Sequence, residues 1–406
     1  MPVHTRRILP QKLLRTACLV IMSAVVSLPG SAQNLTILHN FDLGADGGAP
    51  FAGVTLDHEG RIYGTTSDGG TRNGVVFRLV HSGTSWVLTP IHTFQGGADG
   101  ADPYARVLFG PDGTLYGTTN YGGAGGAGTI YNLRPPASAC HAVLCPWLET
   151  VIYSFSNGAD GGYPYFGDLA FDQAGNIYGT AAGGGLNNNG VVYKLTRSQG
   201  GWSESVLYTF TGGDDGGAPM SGPVFDSAGN IYGVTIFGGA HGMGTVYELS
   251  PAQSGWTEST LYTFTDRDGG NPVGLTIDAH GNLFGMTGYF SGSGIAYELS
   301  PSNGNWTFTL LQTFPQGYEG PYDAPTLDAQ GNLYGTLCCA PESNGGVFKL
   351  TPAGTLWNLS FLHIFDGEND GDGPIGGVTF DDQGNLYGTT DEGGNRVWGT
   401  VWEITP

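Results

Sequence analysis

Acidic side chains supply most of the chemistry this sequence can offer. The segment Asp366-Gly367-Glu368-Asn369-Asp370-Gly371-Asp372 puts acids at its first, third, fifth and seventh positions and glycine at its sixth. Hard oxygen ligands alternate in this way at the start of a calcium loop. Gly377 stands where an EF-hand carries its bidentate glutamate, so an EF-hand is excluded. Two readings remain: a structural calcium site on Asp366, Glu368, Asp370 and Asp372, or a solvated acidic loop. No other metal or cofactor is called for. A wider acidic series runs through Asp46, Asp99, Asp160, Asp215, Asp268, Glu319 and Asp370, most of them in a Phe-x-x-Gly-x-Asp-Gly context. Seven acids in a ring could hold a cation. Recurrence in every copy favours the plainer reading, a tight Asp-Gly turn.

Aromatic residues that vary from copy to copy form the second set. Tyr104, Tyr121, Tyr163, Phe237 and Tyr289 fall in loops, as do Tyr165, Phe290 and Tyr318, with Asp102, Asn120, Asn187 and Asn188 among them. Aromatic faces stack on the C–H faces of sugars while amides and carboxylates take the hydroxyls. The competing reading is that these rings cap a channel or pack between structural units. Nucleophile-elbow, His-Glu-x-x-His and phosphate-loop motifs are absent from the sequence. Carboxylates drawn from distant parts of a chain leave no linear signature, however. Asp102, Glu319 and Asp323 are therefore the candidates for a polysaccharide lyase or hydrolase.

Charge narrows the partners. The chain has 406 residues, 14 basic and 35 acidic, for a formal charge of −21. Nucleic acid requires clustered Lys and Arg, so it is excluded as a partner; a glycan or an extracellular protein fits better. The first 32 residues hold four of the basic residues, no acid, and an apolar run from Ala17 to Leu28 followed by Gly30-Ser31-Ala32. This is the pattern of a secretory signal cleaved after Ala32. The expected mature protein is residues 33–406, released outside the cytoplasm as a monomer. In an oxidising compartment Cys140 and Cys145 could bridge a short loop. Cys338 and Cys339 are adjacent, and read as a vicinal disulfide or as two free thiols.

These residues are positioned by a repeat. Gly-Asn-(Ile/Leu)-Tyr-Gly-Thr-Thr, or a close variant, begins at Gly60, Gly113, Gly175, Gly229, Gly281, Gly331 and Gly384. Each copy holds four strand-like runs, a to d. In the third copy these are Phe166 to Phe171, Asn176 to Ala181, Val191 to Leu195 and Val206 to Phe210. Aspartates such as Asp172 and Asp226, three residues before a glycine, mark type I turns between a and b. Seven copies of about 50 residues with four strands each describe an all-β, seven-bladed propeller. Leu35 to Phe41 reads as a d strand lacking a, b and c, whereas Gly399 to Ile404 reads as a c strand lacking d. The first can complete the last blade and close the ring. Alternation of strand direction then puts the d–a and b–c loops on one face, which carries the variable aromatics.

Gly-Asn-Leu-Tyr-Gly-Thr-Thr, a Gly-Gly loop and Gly-Thr-Val-Tyr-x-Leu together resemble the GloVer tandem-repeat family, secreted bacterial proteins described as choice-of-anchor. The order Gly184-Gly185, Tyr193, Trp202 more loosely resembles kelch repeats. Both resemblances imply a propeller, and neither carries an activity. Choice-of-anchor members end in surface anchors; this sequence ends at Pro406 without one, so release is expected. The functional expectation is a secreted, non-catalytic binding or scaffold propeller using the d–a and b–c face. The polysaccharide-active enzyme and a structural envelope protein are the alternatives.

Overall fold

The computed structural model describes residues 33–136, 147–288, 294–315, 318, 320–338 and 344–406. Seven four-stranded antiparallel sheets follow one another along the chain, each hydrogen-bonded in the order a, b, c, d. Blade 3, for example, comprises Ala170–Phe171, Ile177–Ala181, Val191–Ser198 and Gly201–Thr209. Blade 7 is built from Thr379–Phe380, Leu386–Thr390 and Thr400–Thr405, with Asn34–Asn40 as its outer strand. The expected closure is therefore present, with Asn34 opposite Thr405 and Asn40 opposite Thr400. The register slips between Ile37 and His39. A slip at the corresponding point interrupts the c–d pairing of the other six blades, as between Val192 and Tyr193 in blade 3. Asn34–Asn40 is thus a d strand down to its bulge.

Strand lengths differ from expectation. The inner run of blade 3 pairs over two residues instead of six, and the outer pair starts five residues before Val206 and runs three beyond Leu195. Residues 166–169 lie outside this ladder, whereas in blade 5 the inner strand Pro272–Ile277 pairs with its b strand over six residues, with one slip.

The repeated Tyr-Gly-Thr has a cause in packing. In each b strand the glycine lies directly across from an aromatic residue of strand c. The pairs are Gly64 with Phe77, Gly117 with Tyr131, Gly179 with Tyr193, Gly233 with Tyr247, Gly285 with Tyr297, Gly335 with Phe348 and Gly388 with Trp402. All seven rings are buried. A Cβ on Gly179 would stand 2.3 Å from the Tyr193 hydroxyl, and one on Gly388 would stand 2.3 Å from the Trp402 ring. The rings occupy the missing side chain's volume and extend the core from blade to blade. Phe155 of one blade meets Tyr193 of the next with centroids 5.1 Å apart, and Phe210 meets Tyr247 at the same distance.

Threonines join neighbouring blades. The hydroxyls of Thr65, Thr118, Thr180, Thr336 and Thr389 donate to the backbone carbonyls of Ala105, Pro164, Ser221, Gly376 and Ala52 in the next blade. The Thr389 bond crosses the closure. Blades 4 and 5 carry Val234 and Met286 at this position, both buried in apolar clusters.

The turn aspartates act locally. The Asp172 carboxylate accepts the backbone N–H groups of Ala174 and Asn176, the Asn176 amide and the Tyr178 hydroxyl. Burial alone would raise its pKa; these donors, led by Asn176, outweigh burial and hold it low. Asp57, Asp328 and Asp381 repeat the arrangement with Tyr63, Tyr334 and Tyr387.

Gly179→Ala should destabilise the protein by about 1–3 kcal/mol through overpacking. Urea unfolding is the measurement. Gly179→Ala combined with Tyr193→Ala should recover less than the sum of the two single losses, since the methyl then meets no ring.

Candidate functional site

The d–a and b–c loops share a face, as their backbone bridges show. Gly48 pairs with Asp68, Ala101 with Tyr121, Gly162 with Gly183, Gly217 with Phe237, Gly320 with Cys338 and Asp372 with Glu392. The Asp-Gly turns of the d–a loops have structural work. The Asp160 carboxylate accepts the Tyr153 hydroxyl at 3.1 Å and the Ser156 N–H at 2.8 Å. Asp215 and Asp268 do the same with Tyr208 and Tyr262 of their own d strands. His39 and His363 replace the tyrosine over Asp46 and Asp370, at 2.9 and 2.7 Å. The following glycines, such as Gly100 and Gly216, have φ of +101° and +88°, and a Cβ there would strike Thr119 or Thr235. Each of these described acids is turned outward along its own blade to a d-strand partner, instead of facing the other acids around the axis.

In the Asp366–Asp372 loop, Asp366 accepts the N–H groups of Glu368 and Asn369, and the Asn369 backbone leads the interactions that hold its carboxyl well below the usual range. Asp370 is taken by His363 and the Asp366 N–H. Asp372 pairs through its backbone with Glu392. Burial first, then Glu392 and Asp372, push the neighbouring Asp391 up to about 8. Among the described residues no three His, Cys, Asp or Glu side chains are grouped to hold a metal ion.

The variable aromatics separate into groups. Tyr121, 46% exposed, meets Tyr163 edge-on with centroids 5.7 Å apart. Tyr104 packs against Phe51 at 5.1 Å, Tyr165 at 5.0 Å and Phe166 at 5.9 Å. Burial raises the Tyr104 pKa, and Asp102, Tyr165, Tyr121 and Asp68 add to the shift, so the two groups are neighbours. Asp102 adopts φ of +54°, and burial first, then Asp68, raise its pKa. Phe237 is 38% exposed and lies over Gly217 of blade 4. Tyr289, Phe290, Glu319, Cys140, Cys145 and Cys339 lie outside the described residues. Cys338 is disulfide-bonded, which removes the free-thiol reading for that residue.

Sequence reasoning missed the groups at the axis. The residue two places before the inner strand is Gly53, Arg106, Asp168, Gly222 and Gly377 in blades 1, 2, 3, 4 and 7. Small residues are needed there because the blades touch: a Cβ on Gly53 would meet the Gly377 carbonyl at 2.4 Å, and one on Gly222 the Asp168 carbonyl at 2.3 Å. Arg106 and Asp168 break this rule together. The Arg106 guanidinium binds Asp168 through Nε at 2.7 Å and Nη2 at 2.5 Å, and the Arg106 N–H donates to the other carboxylate oxygen at 3.1 Å. Asp323, named from the sequence, joins them from blade 6. Its oxygens accept the N–H groups of Ala324 at 2.7 Å and Gly377 at 2.8 Å. Burial would lower the Arg106 pKa, but the Asp168 and Asp323 carboxylates outweigh it and hold it above its ordinary value. Burial raises that of Asp323, with Arg106 opposing. Above this cluster Phe51, Tyr104, Phe166, Tyr322 and Ile375 nearly close the channel and leave about 10 Å³, room for a single water. Aligning the copies by the turns that follow their inner strands would have exposed Arg106 and Asp168 as charges among glycines.

Buried glutamates mark the outer seams. Glu149 and Glu204 stand across from Leu133 and Leu195, a place filled by Leu88, Phe308 and Leu359 in other blades. Burial first, then Asp99 and Asp160 respectively, push both up to about 7. Between about pH 4.5 and 7 the folded chain therefore binds more protons than the unfolded chain, and stability falls as pH rises through that window. The melting temperature should drop across it, and Glu149→Gln with Glu204→Gln should flatten the drop. Scanning calorimetry at the two ends of the window checks this. Equal slopes for variant and parent would mean that the two glutamates do not titrate there.

A family model described as the Gloeobacter/Verrucomicrobia repeat matches residues 22–147 and 144–340. No protein with a curated description matches the chain. Among solved structures, a Bacteroides uniformis protein provisionally named a 6-phosphogluconolactonase is 15% identical with a TM-score of 0.50, over 77% of this chain and 87% of its own. A Thermus thermophilus protein provisionally named an oxidoreductase (glucose dehydrogenase) is 17% identical with a TM-score of 0.42, over 75% of this chain and 96% of its own. At these identities the likeness extends to fold alone.

Proposed function

The chain belongs to the Gloeobacter/Verrucomicrobia repeat family, and from that premise we propose that it is a non-catalytic binding propeller whose d–a and b–c loop face recognises a glycan. The carrying observation is the pair Tyr121 and Tyr163 beside Tyr104 and Asp102. An exposed ring, 46% open to solvent, stands among half-buried rings and a carboxylate. A sugar ring can stack on the first while its hydroxyls meet the last. The turn aspartates and Asp-Gly loops hold these side chains on a scaffold whose repeated residues are occupied with folding. We further propose that the protein works outside the cytoplasm after removal of residues 1–32; the basic, then apolar, then small-residue order of that segment supports this.

Purified residues 33–406 should be retained selectively on one or a few immobilised bacterial or plant polysaccharides. Tyr121→Ala should weaken retention about tenfold, the loss of roughly 1.4 kcal/mol expected for one stacking ring, while leaving the melting temperature unchanged. Absence of retention on every sugar would overturn the glycan reading and shift it to an extracellular protein partner or a structural envelope role. New reducing ends in the bound polysaccharide, abolished by Asp168→Asn, would instead establish a lyase or hydrolase working from the axial carboxylates.

A further inference from the structure

The channel does not end at its aromatic plug. On the far side, a residue or two further along the inner strands, lies a cavity of about 230 Å³. Phe166, Asp168 and Asp323 line both spaces, and Arg106 lines the far one. Leu108, Leu169, Pro223, Val224 and Leu275 supply apolar wall. Ser221 completes the lining; it is 8% exposed, and its hydroxyl has no hydrogen-bond partner among the described residues. A buried hydroxyl without a partner is costly and calls for an explanation. Other blades place alanine or glycine at the corresponding position, as in Ala52, Ala105 and Gly376, so the hydroxyl is not a requirement of the fold.

Charge specifies the occupant. Arg106 is committed to Asp168 through three hydrogen bonds. Asp323 receives only two backbone N–H donors directly. With Asp323 ionised, the cluster of one guanidinium and two carboxylates carries one uncompensated negative charge, which a bound cation would compensate, while Ser221 offers a further acceptor. Apolar side chains surround these groups. We propose that this axial cavity is a binding site for a small organic amine, its ammonium group held by Asp323 and the Ser221 hydroxyl and its hydrocarbon body lying against Leu169, Val224 and Leu275. At roughly 20–30 Å³ per heavy atom of a close-packed occupant the cavity takes about eight to eleven heavy atoms, so a butyl body enters with room to spare. A carboxylate ligand would meet repulsion from Asp323, and an alcohol of the same shape would leave the charge uncompensated. This site is separate from the loop face proposed for glycans and does not depend on it.

Isothermal titration of residues 33–406 with butylammonium, butanol and butyrate tests the assignment. Butylammonium should bind at least tenfold more tightly than butanol, and butyrate should give no heat. Asp323→Asn removes the charge, keeps an acceptor for one of the two N–H groups and should lose the amine preference, while Ser221→Ala should weaken amine binding by a smaller factor. Melting curves confirm that each variant is folded. A variant that fails to fold is replaced by Leu275→Phe, which fills the cavity and should abolish amine binding without touching the charges. The proposal is overturned if butylammonium binds no better than butanol, or if Asp323→Asn or Leu275→Phe binds it as well as the parent does.

Discussion

A glycine with a ring over it is the contact on which this structure rests. In each blade the second strand presents a surface without a side chain, and the third strand lays an aromatic ring across it. The ring could not lie flat against any larger residue. Because it lies flat, it reaches the phenylalanine at the end of the preceding blade's outer strand, and the sheets interlock through aromatic edges. Most of the core is built from this single repeated step. Phenol, benzyl and indole rings all serve, as Tyr193, Phe77 and Trp402 show. The seam needs a planar apolar body, and Phe77 and Phe348 supply it without a polar atom.

The fold was legible because this step is local. Glycine, aromatic and turn residues recur at fixed offsets, so the periodicity announced seven sheets, and the unmatched strands at 35–41 and 399–404 announced the closure. Strand lengths were less legible. Residues 166–169 have the composition of a strand, yet they lie outside the ladder while Pro272–Ile277 of blade 5 stays in it, and nothing within one copy reports the difference. The Asp-Gly loops were read correctly as turns for a reason visible in the sequence: their acid recurs in every copy, and a d-strand Tyr or His recurs seven residues earlier to meet it in most of them. Arg106 and Asp168 escaped notice because their meaning is relational. Each is ordinary in its own copy; only beside Gly53, Gly222 and Gly377 do they stand out as charges where the fold otherwise requires small residues. Tyr104, Tyr121 and Tyr163 were recognised as variable, but their association across two blades depends on a loop pairing that spacing does not reveal.

Departures from symmetry fall in different parts of the ring. Blades 2 and 3 carry the charged pair at the axis, the exposed tyrosines on the loop face and the titrating glutamates in the outer seam. Blades 4 and 5 instead lose the threonine hydrogen bond to the next blade and substitute Val234 and Met286. The two kinds of departure overlap in blade 4, where Glu258 stands across from Leu249 as Glu149 and Glu204 stand across from Leu133 and Leu195. A ring of equivalent seams tolerates this because each seam needs only its two neighbours to agree.

The outer strand of the last blade is the first folded segment of the chain. Asn34 and Thr405 are partners across 371 positions, and the Thr389 hydroxyl reaches Ala52 over a comparable span. Loop-closure entropy rises only slowly with length, so this contact costs little more than one a fraction as long; what it imposes is an order of events. Six blades can assemble as soon as their own residues are available, while the seventh waits for both ends. A chain emerging gradually, from a ribosome or through a membrane, therefore holds its first strand unpaired until its last has appeared. The ring has a latch, and the latch closes only once Thr400–Thr405 is available.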